Sequence, residues 1–176
     1  MRNVLQQTLG AGLALFALAG AAAAQDNERQ VRGYLEHGLQ RHAPLGFTAD
    51  TATADLVTPL RLDHPFLWTV TLRAGVTYRI YGACDDNCSD LDMELYGLDG
   101  RLVDRDTRRD DTPYVQVTPT RSGRHNVRIW LYSCTASACT AAARIVSGGA
   151  ARDREAAGEP LSIAPPQLKP QEQDPP

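Results

Sequence analysis

The residues best equipped for chemistry cluster between Gly82 and Pro119, in the run GACDDNCSDLDMELYGLDGRLVDRDTRRDDTPYVQVTP. Asp90 and Asp92 flank one apolar residue at the start of a strand-like segment. The two-residue period of a strand puts both carboxylates on one face, about 7 Å apart. Asp104, Asp106, Asp110 and Asp111 lie beyond Asp99-Gly100, a hairpin signal that can fold them back toward Asp90 and Asp92. A hard cation such as Ca²⁺ takes about six to eight oxygen ligands. Asp90, Asp92, Asp99, Asp104 and Asp106 form the candidate set for Ca²⁺, the one cofactor the sequence suggests. The spacing is not that of an EF-hand loop, which needs a Gly and a closing Glu at fixed positions. A second reading stands beside it. Asp and Asn stabilise turns by bonding their own backbone, and Arg101, Arg105, Arg108 and Arg109 are interleaved with the acids as surface ion pairs worth about 0–1 kcal/mol each.

Catalytic patterns are missing from the sequence. There is no Gly-x-Ser-x-Gly elbow, no His-Glu-x-x-His, no Walker loop and no dinucleotide glycine motif. A carboxylate pair working as acid and base needs two separated environments, whereas these acids look exposed and alike. His37 and His42 fall on a helical segment, His64 precedes Pro65, and His125 opens a strand. The chain therefore reads as a non-enzyme. A binding surface is suggested instead by Arg128, Trp130 and Tyr132. They fall out of register with the apolar set Val127, Ile129 and Leu131 and so point to the other face of their strand. Aromatics beside Arg make good anchors for a protein or sugar partner. They serve only if no helix or loop covers that face. Trp68, in register with Phe66 and Val70, reads as core.

The N-terminus speaks for export. Arg2, an apolar run from Leu9 to Ala19 and the small residues Ala22-Ala23-Ala24 have the order of a secretory signal peptide, with cleavage expected after Ala24. A membrane span needs about 20 strongly apolar residues, and this run is Ala-rich, so no span is expected after cleavage. The expected location is periplasmic or secreted. All four cysteines follow the signal, and an even number in an exported chain points to disulfides. Local pairing, Cys84–Cys88 and Cys134–Cys139, is favoured. Cross-pairing between the two loops stays open if their strands are neighbours. The net charge of −3 argues against nucleic acid as a partner.

These groups need a scaffold to position them. Asp26 to His42 reads as one short helix with Asp26 as N-cap, Val31, Tyr34, Leu35 and Leu39 on one face, and Pro44 as its stop. Gly33 and Gly38 weaken it by roughly 1 kcal/mol each relative to Ala. The stretch from Pro44 to Asp63 reads as loop with a short strand near Leu56. From Pro65 the period changes to two, and about seven short strands follow between turn residues. The expected fold is all-β, an antiparallel sandwich preceded by one short α-helix. The expected parts are residues 1–24 as signal, 25–63 as helix and loop, 64–146 as sandwich, and 147–176 as a Pro-rich disordered tail.

The order of motifs adds a family resemblance. Leu72-Arg73-Ala74-Gly75-Val76-Thr77-Tyr78, then Asp90-Leu91-Asp92-x-x-Leu95, then Asp99-Gly100, then Ser122-Gly123-x-x-x-Val127-Arg128-Ile129 resembles the bacterial pre-peptidase C-terminal domain. The resemblance covers roughly Phe66 to Val146. It implies a jelly-roll-like sandwich without catalytic residues, of a kind found behind secreted peptidases, some relatives of which bind Ca²⁺ or extracellular polymers. Only Asp90, Asp92 and Asp99 map onto the acidic positions of the pattern. His125 stands where Tyr is usual, and Gly97 where Asp is usual.

The expected function is that of an exported, non-catalytic binding or structural module for a protein or polysaccharide, with Ca²⁺ as a possible aid. The alternative is a secreted hydrolase or a peptidase-associated accessory protein. A third reading is an envelope protein acting through its tail.

Overall fold

The structure is a computed structural model that describes residues 8–148, with side chains described from residue 24 onward. Of the expected tail, Ser147 and Gly148 close the last strand and the rest lies outside the described residues, as do the first residues of the expected signal. Nine strands follow one helix, α1 (Thr8–His42): β1 (Phe47–Ala49), β2 (Leu56–Leu60), β3 (Phe66–Leu72), β4 (Thr77–Cys84), β5 (Cys88–Tyr96), β6 (Leu102–Asp106), β7 (Tyr114–Val117), β8 (Gly123–Cys134) and β9 (Cys139–Gly148). They form two antiparallel sheets. One runs β1-β9-β4-β7, with β2 also paired to β9; the other runs β3-β8-β5-β6. The expected sandwich is thus the observed one.

Alternation explains the core between the sheets. Tyr78 and Ile80 of β4, Leu91, Met93 and Leu95 of β5, Val127, Ile129 and Leu131 of β8, and Ile145 of β9 are buried there together. Trp68 packs at the edge of this cluster, partly buried. A second, smaller core lies on the outer face of the five-stranded sheet. There Val31 and Leu35 of α1 meet Tyr81, Ala83, Ala142 and Val146. The small side chains of Ala83 and Ala142 let the helix sit close to the sheet. Tyr81 donates its hydroxyl to the carbonyl of Leu35 at 2.7 Å, and Arg144 pairs with Glu36 of the helix and Asp55.

Three sequence expectations change here. The chain is already helical at Thr8, the first described residue, so Asp26 lies inside the helix and pairs with Arg29 instead of capping its start. The Ala-rich run before Asp26 contains no residue that stops a helix, so the helix continues through it. The sandwich takes in residues before position 64, because β1 and β2 both pair with β9. Gly38 is a close approach: a Cβ there would overlap the ring of Tyr81, whereas a Cβ at Gly33 would meet open space. Among the described residues no helix is long and apolar enough to cross a membrane.

The two disulfides are the local ones, Cys84–Cys88 and Cys134–Cys139. Each staples a passage from one sheet to the other, β4 to β5 and β8 to β9. Cys88 and Cys134 are register partners, so the two staples lie side by side at one end of the sandwich. The cross-pairing alternative had its strand geometry right, and the local pairs nonetheless form.

Candidate functional site

The five acids of the candidate Ca²⁺ set do not meet in one place. Asp99 sits in the β5–β6 turn, at the end of the sandwich away from the disulfides. Its Oδ1 accepts the backbone N–H of Arg101, and Gly100 takes the positive φ of 75° that the turn requires. That turn borders a cleft of about 260 Å³ shared with Leu98, Arg121 and His125. Asp104 and Asp106 lie on β6, the edge of the four-stranded sheet, beside β7, the edge of the other. Asp104 accepts the backbone N–H of Gln116 at 2.7 Å, and Asp106 accepts that of Tyr114 at 3.1 Å. Arg108 adds an ion pair to Asp106 at 2.6 Å. These carboxylates stand where a neighbouring strand would accept from β7, and so they close the seam between the sheets. Among the described residues no group of three or more His, Cys, Asp or Glu side chains is arranged to hold a metal ion.

The acids of the disulfide loop also have structural partners. Asp85 is buried and accepts the N–H groups of Asn87 and Thr140. Asp86 accepts from Gln30 and Tyr34, tying α1 to the stapled loop.

Asp90 and Asp92 are different. Their register partners on β8 are Ser133 and Trp130. By strand parity, with a bulge at Asp90, both side chains lie on the outer side of the four-stranded sheet, opposite to Leu91 and Met93, yet they are only 7% and 5% exposed. The Oδ1 atom of each has no hydrogen-bond partner. Burial, then the charge of Asp110, pushes the Asp90 carboxyl above its ordinary range, with Arg109 opposing. Asp92 is pushed up to about 6, first by burial and then by Asp90 and Asp106, against a hydrogen bond from the Trp130 indole. The loop after β6 crosses close by, where the Asp110 carbonyl accepts the N–H of Leu91 at 3.0 Å.

Arg128, Trp130 and Tyr132 share this outer face. One ladder step from Asp92, Glu94 faces Arg128, and the two form a salt bridge at 3.1 Å. Burial pushes Glu94 up, but hydrogen bonds from Tyr96 and Arg128 outweigh it and hold the carboxyl below its ordinary value. The Arg128 guanidinium also stands over the Trp130 ring, 4.5 Å from its centre. Tyr132 is 64% exposed, and Leu67 of β3 is 58% exposed. The helix lies elsewhere. Its buried residues Val31 and Leu35 pack with Tyr81, Ala142 and Val146 on the other sheet, so it does not cover Trp130.

The sequence singled out Arg128, Trp130 and Tyr132 and the Asp90–Asp92 pair, but did not join them. The signal that could have joined them is their shared outward parity. It becomes useful only once β5 is known to pair with β8.

Two of the four histidines, His42 and His125, have packing roles, while His37 and His64 are exposed. His42 lies against Tyr81 and beside Arg79, where burial first and then the charges of Arg79 and Arg41 lower it to about 4. His125 is buried with Nδ1 at 3.1 Å from the Gly123 carbonyl.

No protein family profile and no curated protein matches the chain. Among solved structures it is similar to the pre-peptidase C-terminal domain of a collagenase from Bacillus anthracis, with 9% identity and a TM-score of 0.43 over 52% of this chain and 87% of that one. It is also similar to a periplasmic lysozyme inhibitor of g-type lysozyme from Aeromonas hydrophila, with 14% identity and a TM-score of 0.38 over 52% of this chain and 84% of that one. The module that the motif order resembles is among the structures to which the chain is similar.

Proposed function

We propose that the protein is an exported, non-catalytic binding module that docks a partner on the outer face of its four-stranded sheet. One observation carries the reading: α1 packs on the five-stranded sheet, while the outer face of the other presents Leu67, Trp130 and Tyr132 beside Arg128. Aromatic and Arg side chains concentrate binding energy at interfaces. Export is supported by the signal-like N-terminus and by two disulfides, which persist in oxidising compartments. A non-catalytic role is supported by the packing of His42 and His125, which engage neighbouring groups and not a nucleophile.

The test compares variants on the two outer faces. Trp130→Ala and Tyr132→Ala should abolish co-purification of a partner from the cell envelope, while His37→Ala, on the exposed side of the helix, should leave it intact. Equal retention by all three variants would refute the assignment.

A further inference from the structure

We infer that Asp90, Asp92 and Trp130 form a subsite for one cationic side chain, an Arg or Lys, of a protein partner. The inference rests on the open-face reading above and specifies its chemistry.

The ladder between β5 and β8 supplies the argument. At Glu94↔Arg128 the acid has a basic partner across the strand. At Asp92↔Trp130, the next position on the same face, the acid faces an indole, which donates one N–H. At Asp90 the ladder is broken by a bulge, and its register partner, Ser133, is no base and bonds the Ser89 hydroxyl instead. Two carboxylates are therefore more than nine-tenths buried with one oxygen each unpartnered. Such groups are costly unless a cation completes them. The charges facing them are Asp106 and Asp110, which add to the deficit, and Arg109, which relieves it in part.

The molecule already shows the arrangement the subsite would use. The Arg128 guanidinium rests on Trp130 while pairing with Glu94. A second guanidinium or ammonium next to the ring would meet Asp92 and Asp90 in the same way, with hydrogen bonds to carboxylate and an aromatic edge for its stem. A divalent metal fits less well. It needs about six to eight oxygens, and the described residues hold no group of three such ligands. Trp130, opposite Asp92, and the loop that bonds Leu91 through the Asp110 carbonyl flank the carboxylates and must shift for the side chain to enter.

The test is an NMR titration of the folded protein with N-acetyl-arginine amide, followed at the Trp130 indole N–H. N-acetyl-citrulline amide, its neutral isostere, is the control. A saturable shift with the arginine probe alone is expected. Binding should weaken at least tenfold in Asp92→Asn and in Asp90→Asn, two variants that keep side-chain volume. It should tighten roughly tenfold from pH 5 to pH 7 as Asp92 ionises. Equal shifts with citrulline, unchanged binding in both variants, or a response to millimolar Ca²⁺ but not to arginine would each overturn the subsite. If the arginine probe fails while Tyr132→Ala still loses the partner, the face stands and only its cation chemistry falls.

Discussion

Asp92 carries a cost that should be measurable in the isolated protein. Its folded value of about 6 lies above the ordinary 3.8. The native state therefore holds more protons than the unfolded state between those values. The stabilising contribution of the protonated carboxyl is full below about pH 4 and is lost as pH rises through 6. Asp92→Asn should thus raise stability at pH 7.5 by about 1–2 kcal/mol, discounted for the carboxyl's place near the surface, and change little at pH 4. His42 has the opposite sign. Lowered to about 4, it is neutral in the native state while the unfolded chain takes up a proton below pH 6.5, so stability is lost as pH falls from 6.5 to 4. The wild type should show a flattened profile across this window, and Asp92→Asn a steeper loss toward acid, both read from denaturant midpoints at constant ionic strength. A destabilised Asp92→Asn at pH 7.5 would show that the charged carboxylate is net stabilising in the native state and would contradict this account. Giving up stability to hold ionisable groups ready is a common cost of a binding site.

At the level of elements, glycines and edge acids make sharper tests than propensity does. Helix propensity alone says that Gly33→Ala and Gly38→Ala each stabilise by about 1 kcal/mol. The structure separates them. Gly33→Ala should gain roughly that amount, because its added methyl meets nothing. Gly38→Ala should lose about 1–3 kcal/mol, because the methyl drives into Tyr81 and lifts the helix from the sheet. Asp106→Ala should cost about 1–3 kcal/mol by stranding the Tyr114 N–H at the seam, with faster hydrogen exchange in β7 as its signature.

These elements also show what a sequence can and cannot disclose. The inward faces of β5 and β8, the Val31–Leu35 face of the helix and the local disulfides were legible, because each depends on residues a few positions apart. Strands β1 and β2 were mostly missed: Phe47-Thr48-Ala49 is too short to alternate, and Leu56 to Leu60 contains Pro59. Asp104 and Asp106 read as ligands because their backbone partners lie on another sheet, 12 and 8 residues away. Asp90 and Asp92 read as exposed because outward parity on a strand usually means water, and only the pairing of β5 with β8 brings Trp130 over Asp92. The side of the sandwich taken by the helix is a long-range choice with no local signature.

On the scale of the whole molecule, three layers divide the labour. The helix and the five-stranded sheet bury the second core, the disulfides staple one end, and the four-stranded sheet is left with an open face close to those staples. The central claim is that this face meets the partner. The most direct test is site-specific photo-crosslinking in cells, with benzoyl-phenylalanine in place of Tyr132 on the open face or His37 on the helix. A discrete adduct from position 132, absent from position 37 and lost when Trp130→Ala is added, is the expected result. An adduct from position 37 alone, or one from 132 that survives Trp130→Ala unchanged, would contradict it.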